Sequence, residues 1–382
     1  KEWYPTYRVL TVKASNGDWL QNGIKPNTAE VPGLISSSLG WERVRNWNIG
    51  FDFGAFNNRL TGSFDYYNRM TLDMVGPAPE LPYILGLEVP KTNNTDLKTY
   101  GFDLDVSWND RLQNGLGYGV KFILSDARTK ITRYPNPTNT LDKYQAGQMM
   151  GDIYGYETIG IAKSKDEMDQ HLASLPNGGQ NALGTNWDAG DIMYKDLNGD
   201  GKISSGDGTL NDLGDLKVVA NTQLRFKYGL TLDASWKGFD FSAFFQGVGK
   251  RDVVVGGPYF WGANGQGMWQ AAAFKDHMDY FRPEDTESVF GPNVDAYYPR
   301  VIFGGGSSEG GKNTLTQSRY VQNGAYIRLK NLQLGYTLPS TITKKFAVNS
   351  LRVYVSGDNL WTGTKMRVFD PEVLGSTGDA GK

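Results

Sequence analysis

Residues 325–373 read AYIRLKNLQLGYTLPSTITKKFAVNSLRVYVSGDNLWTGTKMRVFDPEV, and their alternation decides the fold class. Leu351, Val353 and Val355 alternate with Arg352, Tyr354 and Ser356, the period-2 pattern of a strand wetted on one face. Upstream, Leu332, Leu334, Tyr336 and Leu338 alternate in the same way, but out of phase with Ile327 and Leu329. That slip predicts a bulge, or a change of environment, near Lys330 and Asn331. The connector, residues 339–350, opens with Pro339 and carries Lys344 and Lys345.

Working outward, the same pattern recurs three times. Leu224, Phe226, Tyr228, Leu230, Leu232, Ala234 and Trp236 fall on one face, Gln223, Arg225, Lys227, Thr231, Asp233 and Ser235 on the other. Lys237 and Gly238 then make a two-residue turn, and Phe239, Phe241, Ala243 and Phe245 return. Tyr100, Phe102, Leu104, Val106 and Trp108 alternate with Gly101, Asp103, Asp105 and Ser107, and the chain returns through Leu116, Tyr118, Val120, Phe122 and Leu124. Trp47, Ile49, Phe51 and Phe53 lead to a tight turn at Asn57, Asn58 and Arg59, followed by Leu60, Gly62, Phe64 and Tyr66. Strands are thus expected over about 47–70, 100–126, 223–248 and 325–362. Long connections are expected over about 71–98, 127–222, 249–319 and 363–382.

Short and long connections alternate, so all short turns lie at one end of the sheet and all long loops at the other. Strand candidates of ten residues or more have the length a tilted strand needs to cross a bilayer. The expectation is all-β: an antiparallel up-and-down transmembrane β-barrel with long extracellular loops and short periplasmic turns. A soluble β-sandwich or lipocalin-like barrel also alternates, but its strands are shorter and loops of this length are rare in compact domains. Trp47, Trp108 and Trp236 stand at strand ends, with Tyr66, Tyr67 and Tyr100, where amphipathic rings would form interfacial girdles.

Composition agrees. The chain has 49 aromatic residues (21 Tyr, 18 Phe, 10 Trp) and 48 Gly among its 382 residues, which suits a β-rich protein with many turns. It lacks cysteine, which excludes disulfides and thiolate metal sites. A net charge of −2 gives no argument for nucleic acid. Mean hydropathy is −0.46, compatible with a membrane barrel, where only alternate strand residues touch lipid.

Three words, YIRLKNLQLGYTLP at 326–339, LRVYVSGDNL at 351–360 and FDPEV at 369–373, recur in order in the C-terminal part of the SusC/RagA family of TonB-dependent outer-membrane transporters. Residues 40–69, 99–110 and 278–288 also resemble that family's barrel segments. The resemblance therefore covers nearly the whole chain from about Gly40 onward. It implies one portion of a large plugged barrel of about 22 strands, in the outer membrane of a Gram-negative, Bacteroidetes-type envelope. It also implies import of oligosaccharides (glycans) or peptides, with a SusD-like lipoprotein on the outer face and energy from TonB through a plug. The plug, the TonB box, the first part of the barrel and the last strand have no counterpart here. The chain is accordingly expected to be part of a longer or split polypeptide, because open sheet edges cannot face lipid.

The sharpest chemical motif is DLNGDGKISSGD at 196–207. It sets Asp196, Asn198 and Asp200 at positions 1, 3 and 5, Gly201 at 6, the Lys202 carbonyl at 7 and Asp207 at 12, the spacing of an EF-hand-type Ca2+ loop with Asp in place of the usual Glu. A Gly/Asn/Asp turn without metal is the plain alternative. Ser164 and Glu167 predict a capped helix over 164–175. Catalysis has little support: His171 and His277 are far apart, Gly304, Gly305 and Gly306 lack a phosphate-loop lysine, and Glu284, Asp285 and Glu287 read as a solvated acidic loop. No catalytic residue is expected. Tyr259, Phe260, Trp261 and Trp269 lie between Gly-rich segments and suit stacking on sugar or peptide, against the alternative that they pack loops together. Two functions stay open: import by a SusC-like transporter, and a calcium-stabilised β-rich carbohydrate-binding surface protein.

Overall fold

The computed structural model describes residues 10–32, 34–36, 39–78, 84, 89–264, 273–303, 308–367 and 369–372. Eight long strands carry the fold: β1 (Arg43–Ala55), β2 (Leu60–Val75), β3 (Asn93–Arg111), β4 (Gly117–Arg133), β5 (Arg225–Trp236), β6 (Phe239–Lys250), β7 (Tyr326–Thr337) and β8 (Arg352–Thr364). They form one sheet in strict chain order, β8-β7-β6-β5-β4-β3-β2-β1, the topology expected when every neighbour is joined by a hairpin or by a loop that returns to the same edge. From β4 to β8 each neighbouring pair is antiparallel.

The β5–β6 hairpin shows how local sequence sets the register. Lys237 and Gly238 both have positive φ (47° and 89°), and Trp236 pairs directly with Phe239. This is the mirror-image turn whose twist matches that of the strands it joins. At Gly238 a side chain would meet the Thr337 carbonyl at 2.7 Å, so glycine is required twice over.

Register also assigns the faces, because cross-strand partners share one. Lys227, Thr231 and Asp233 pair with Ser125, Lys121 and Gly119 on β4, and Thr231 and Asp233 with Phe244 and Ser242 on β6. Ser242 continues to Gln333, and Gln333 to Ser356. The opposite face runs Val120, Leu232, Ala243, Leu332 and Phe122, Leu230, Phe245, Leu329. The predicted bulge is present. Pairing of β7 with both neighbours skips at Lys330, with an extra residue on β7 toward β6 and on β8 toward β7, where Asn359 takes φ 53°.

Apolar side chains stay in the open on strands that are not edges. Leu334 is 54% and Phe241 37% exposed, and on β8 Val355 reaches 75%. A contiguous exposed apolar face of this kind is a surface that water disfavours. At the turn end of the strands the rings are amphipathic or aromatic. The Trp108 indole donates to the Tyr118 hydroxyl at 3.2 Å, Trp236 donates to the Asn114 carbonyl at 3.3 Å, and Phe239 lies 4.5 Å from Tyr336. No helix among the described residues is long and apolar enough to cross a membrane, which says nothing about strands.

The strands outrun the apolar pattern. β4 continues to Arg133 and β3 begins at Asn93, whereas the alternation places their ends near 126 and 100. The extensions, such as ARTKITR, carry few large apolar residues, with Ile131 the one that is buried in this stretch, so the apolar alternation that marks a half-buried strand is weak there.

The chain divides into two compact units. One comprises Lys1–Trp47, Asn68–Thr99 and Thr129–Gln148. Inside it Asp73 holds Arg43 and Arg133, and Arg133 also binds Asp96 at 2.8 Å. The Asn93 side chain donates to the Gly40 carbonyl at 3.0 Å and accepts from the Gly40 amide at 2.7 Å. The second comprises Asn48–Tyr67, Tyr100–Arg128 and Met149–Lys382. In it the long connections fold into a module of their own. Short antiparallel pairs, Asp152–Tyr156 with Leu216–Asn221, Thr158–Ile161 with Ile192–Tyr194, and Asp252–Val254 with Val321–Asn323, surround one hydrophobic core. Met168, Ile192, Tyr194, Ile203 and Phe260 are fully buried there. Segments expected as plain loops therefore bury a core of domain type, because apolar residues spread over 150–370 converge once the strands fix their ends.

Candidate functional site: the polar sheet face and the folded loops

The polar face carries paired charge. Lys121 meets Asp105 at 2.7 Å, Arg352 binds Asp240, and Arg225 forks onto Asp126. Phe226 has φ 53° and its amide also donates to Asp126. The ladder to β4 stops at Lys227 for this reason. A concavity of about 620 Å³ opens on this face, lined among others by Asp103, Asp105, Lys227, Gln246 and Tyr326. Paired rather than isolated charges let such a surface stay polar without a strong single-sign field.

The FDPE word closes on the bulge. Asp370 and Glu372 both bind Arg328, at 2.7 and 2.5 Å, Lys330 reaches Glu372 at 2.5 Å, and the Pro371 carbonyl accepts from Arg251 at 2.8 Å. The bulge that re-aims Lys330 thus anchors the segment after β8.

In the loop module a buried network joins distant segments. Asp191 and Lys312 are fully buried and 3.0 Å apart. Asp191 also accepts from Arg300 at 2.7 and 2.8 Å, from the Asn313 amide at 2.8 Å and from the Asp188 backbone at 3.0 Å. Lys312 donates to the Thr185 and Asn186 carbonyls at 2.7 and 3.0 Å, and lies over the Trp187 ring at 4.6 Å. Every oxygen and proton of the pair has a partner, the condition under which a buried ion pair is tolerated.

At 196–207 the oxygens hold the loop's own backbone. Asp196 accepts from the Gly199 and Gly201 amides at 2.6 and 2.9 Å, Asn198 from Asp200 at 3.0 Å, and Asp200 from Lys202 at 3.1 Å. Asp207 turns to the Thr209 amide and hydroxyl, at 2.9 and 2.6 Å. Among the described residues no three His, Cys, Asp or Glu side chains are grouped to hold a metal ion, so Asp196, Asp200 and Asp207 are not assembled as a cage. Sequence reading missed Asp215, which no spacing rule marks. It is fully buried and accepts from the Leu197 and Ser204 amides at 2.7 and 2.8 Å. Burial pushes its carboxyl above the usual range, and these amides work against the shift.

The aromatic candidates separate. Phe260 is 0% and Trp261 7% exposed. Their rings meet edge-on at 4.9 Å, and Trp261 meets Tyr320 at 4.6 Å. These two rings are packed into the loop core. Tyr259 is 51% exposed and stacks on Phe274 at 5.9 Å. Trp269 lies outside the described residues.

The helix stands where its cap predicts, α1 (Lys165–Ala173), with Ser164 accepting from the Glu167 amide. The Glu167 carboxylate reaches the Lys163 amide at 2.6 Å, one residue before the cap, so the reciprocal half of the box is displaced. His171, within the predicted helix, sits in the last turn of α1 half-buried, with Nε2 3.1 Å from Gln180 Oε1. The acidic Glu284, Asp285 and Glu287 are exposed.

No family model matches the chain. Its sequence is 28% identical over 378 residues to TonB-dependent receptor P3 of Formosa agariphila, covering 96% of this chain and 33% of that protein. It is 22% identical over 353 residues to TonB-dependent receptor SusC of Bacteroides thetaiotaomicron, covering 90% and 31%. Its fold matches the RagAB peptide transporter with a TM-score of 0.68 at 24% identity, over 97% of this chain and 36% of that one. The chain therefore spans about a third of the length of the curated relatives it matches. In sequence and in barrel fold it is a relative of the SusC/RagA-type TonB-dependent receptors.

Proposed function

We propose that this chain forms wall strands and outer loops of a TonB-dependent importer in the outer membrane, taking up oligosaccharides or peptides. The observation that carries the reading is the two-faced sheet: Leu334, Phe241 and Val355 exposed on one face, and Lys121–Asp105 and Arg352–Asp240 pairs on the other. Lipid covers the first face and a water-filled lumen the second. A SusD-like lipoprotein over the loop module and a plug that contacts TonB complete the importer. The relatives are receptors and a transporter rather than enzymes. A calcium-stabilised β-rich carbohydrate-binding surface protein is the weaker reading, since the exposed apolar face would need a second layer to cover it.

The test is genetic. Cells lacking the full polypeptide should lose growth on the oligosaccharide or peptide source it imports, and a TonB-deficient strain should show the same loss. Unchanged uptake of both nutrient classes in the deletion strain would reject the proposal.

Calcium binding at 196–207 belongs to this reading as a separate proposal. Asp196, Asn198 and Asp200 stand in ligand register, and closure would require Asp207 to leave Thr209. A rise in Tm with calcium over chelator, lost in Asp207→Ala, supports it. No shift removes it.

A further inference from the structure

Three of the four hairpins turn tightly, through residues 56–59, 112–116 and 237–238, whereas β7 passes to β8 through residues 338–351. That connector has a fixed backbone. Pro339 opens a helical turn, Ser340–Thr343, which runs into a 3-10 turn, Lys344–Phe346. The Ile342 and Thr343 amides donate to the Pro339 carbonyl at 2.9 and 3.3 Å, and the Val348 amide donates to the Thr343 carbonyl at 3.1 Å. Ala347 ends the turn in the left-handed region at φ 55°. The Leu338 amide donates to the Leu351 carbonyl at 2.9 Å and closes the base.

This backbone buries Thr343 and leaves large apolar groups outside. Phe346 is 75% exposed, and Ile342, Val348 and Leu351 are also exposed. Ile342 and Phe346 stand four residues apart, a spacing that makes them neighbours on a helical turn. Leu351 is in step with Val353 and Val355 of β8, so the apolar strip assigned to lipid runs on into the connector. Lys344 and Lys345 are exposed as well, and neither pairs with a carboxylate among the described residues. From 310 to 357 the sequence holds no Asp or Glu. The neighbouring β5–β6 turn adds Lys237, 4.7 Å over the Trp236 ring, and its Gly238 carbonyl accepts from the Thr337 amide at 2.8 Å. Bare apolar side chains beside unpaired lysines are the composition of a segment lying in a headgroup layer, where apolar groups enter the acyl boundary and ammonium groups reach phosphates.

We propose that the 338–351 connector docks on anionic phospholipid headgroups in the leaflet at the turn end of the barrel. Ile342 and Phe346 enter the acyl boundary, and Lys344 and Lys345 meet the phosphates. A zwitterionic headgroup carries its own cation beside the phosphate, so net charge makes the lysines selective. Each lysine near an anionic surface gives about fivefold in affinity, and the pair roughly thirtyfold. The inference rests on the membrane reading and deepens it by naming the lipid class that this end of the wall takes.

The test uses the full polypeptide in mixed micelles of phosphatidylglycerol and phosphatidylcholine, with the retained lipid counted by native mass spectrometry. Phosphatidylglycerol should be retained in preference, and Lys344→Gln combined with Lys345→Gln should weaken that retention roughly thirtyfold. Equal retention of the two lipids by the unaltered protein overturns the proposal, as does undiminished preference in the double variant. Should the variant fail to fold, the preference of the unaltered protein decides. Depth is read in lipid nanodiscs. Because the chain lacks cysteine, spin labels at Phe346→Cys and Leu334→Cys report singly. Both should be open to oxygen and shielded from a water-soluble nickel chelate. A label at 346 open to the chelate while that at 334 is shielded overturns the docking and leaves the membrane reading standing. Both labels open to the chelate overturns the two together.

Discussion

Asp191→Ala removes a fully buried carboxylate on which Arg300, Lys312 and Asn313 converge at 2.7, 3.0 and 2.8 Å. Lys312, equally buried, would keep Glu309 at 3.1 Å and two carbonyls, so its charge is not wholly stranded. Breaking one partner of a buried pair costs about 3–5 kcal/mol. The surviving contacts place this case near the lower end, about 3 kcal/mol. At 1.4 kcal/mol per decade that is a roughly hundredfold rise in the opening of the module. Hydrogen exchange reads it locally. The Ile192 and Tyr194 amides, held by the Asn313 and Gln180 side chains at 2.9 and 2.6 Å, should exchange about a hundredfold faster. Amides of Leu230 and Leu332, in the sheet, should not change. Lys163→Ala breaks the pair to Asp295, whose partners are 57% and 78% exposed, and should leave exchange at Ile192 unchanged. Equal exchange at Ile192 in variant and parent, or an equal effect of Lys163→Ala, would refute the claim that this network holds the loops together.

Other outcomes follow from single positions. Leu334→Arg puts a charge on the apolar face at a cost of about 2–4 kcal/mol near mid-bilayer, so the amount of assembled protein in outer membranes should fall sharply, while Gln333→Arg, facing Ser242 and Ser356, should assemble normally. Equal loss at both would remove the face assignment. Gly247→Ala would drive a methyl into the Tyr326 carbonyl and the Tyr228 ring and should lower stability by about 1–3 kcal/mol, read as a lower unfolding temperature in detergent. Burial holds His171 below its ordinary value, with the Gln180 hydrogen bond opposing. A depressed pKa gives stability that is whole above the unfolded value, about 6.5, and is lost as pH falls from there through the lower folded value. Tm should therefore decline from pH 7 to 5 with a slope that His171→Gln reduces, and an unchanged slope would assign the decline elsewhere.

The strands were legible because one-sided burial writes itself as period two. The slip between Leu329 and Leu332 gave away the bulge at Lys330, and Lys237–Gly238 its turn, because both are local. Phe226 was not legible: its positive φ answers to Asp126, a residue far off in sequence. The ends of β3 and β4 hid because they carry few large apolar residues, Leu97 in one and Ile131 in the other. The loop core hid for a deeper reason. Tyr194 bonds the Lys312 carbonyl at 2.6 Å, and Phe260 packs on Tyr298 at 5.6 Å. Such pairs have no period, so a buried ring and a ligand-stacking ring look alike in the chain. The 196–207 spacing marked where oxygens stand but not that Asp207 turns to Thr209.

The central claim is that one face of the sheet meets lipid and the other water. The chain has no cysteine, so single cysteines placed at Leu334, Val355, Gln333 and Ser356 in the full polypeptide report without background from this chain. A hydrophilic, membrane-impermeant maleimide applied to outer membranes should modify Gln333→Cys and Ser356→Cys readily. Leu334→Cys and Val355→Cys should react about tenfold more slowly or not at all, shielded by lipid. Labelling of Leu334→Cys and Val355→Cys as fast as Gln333→Cys would contradict the account.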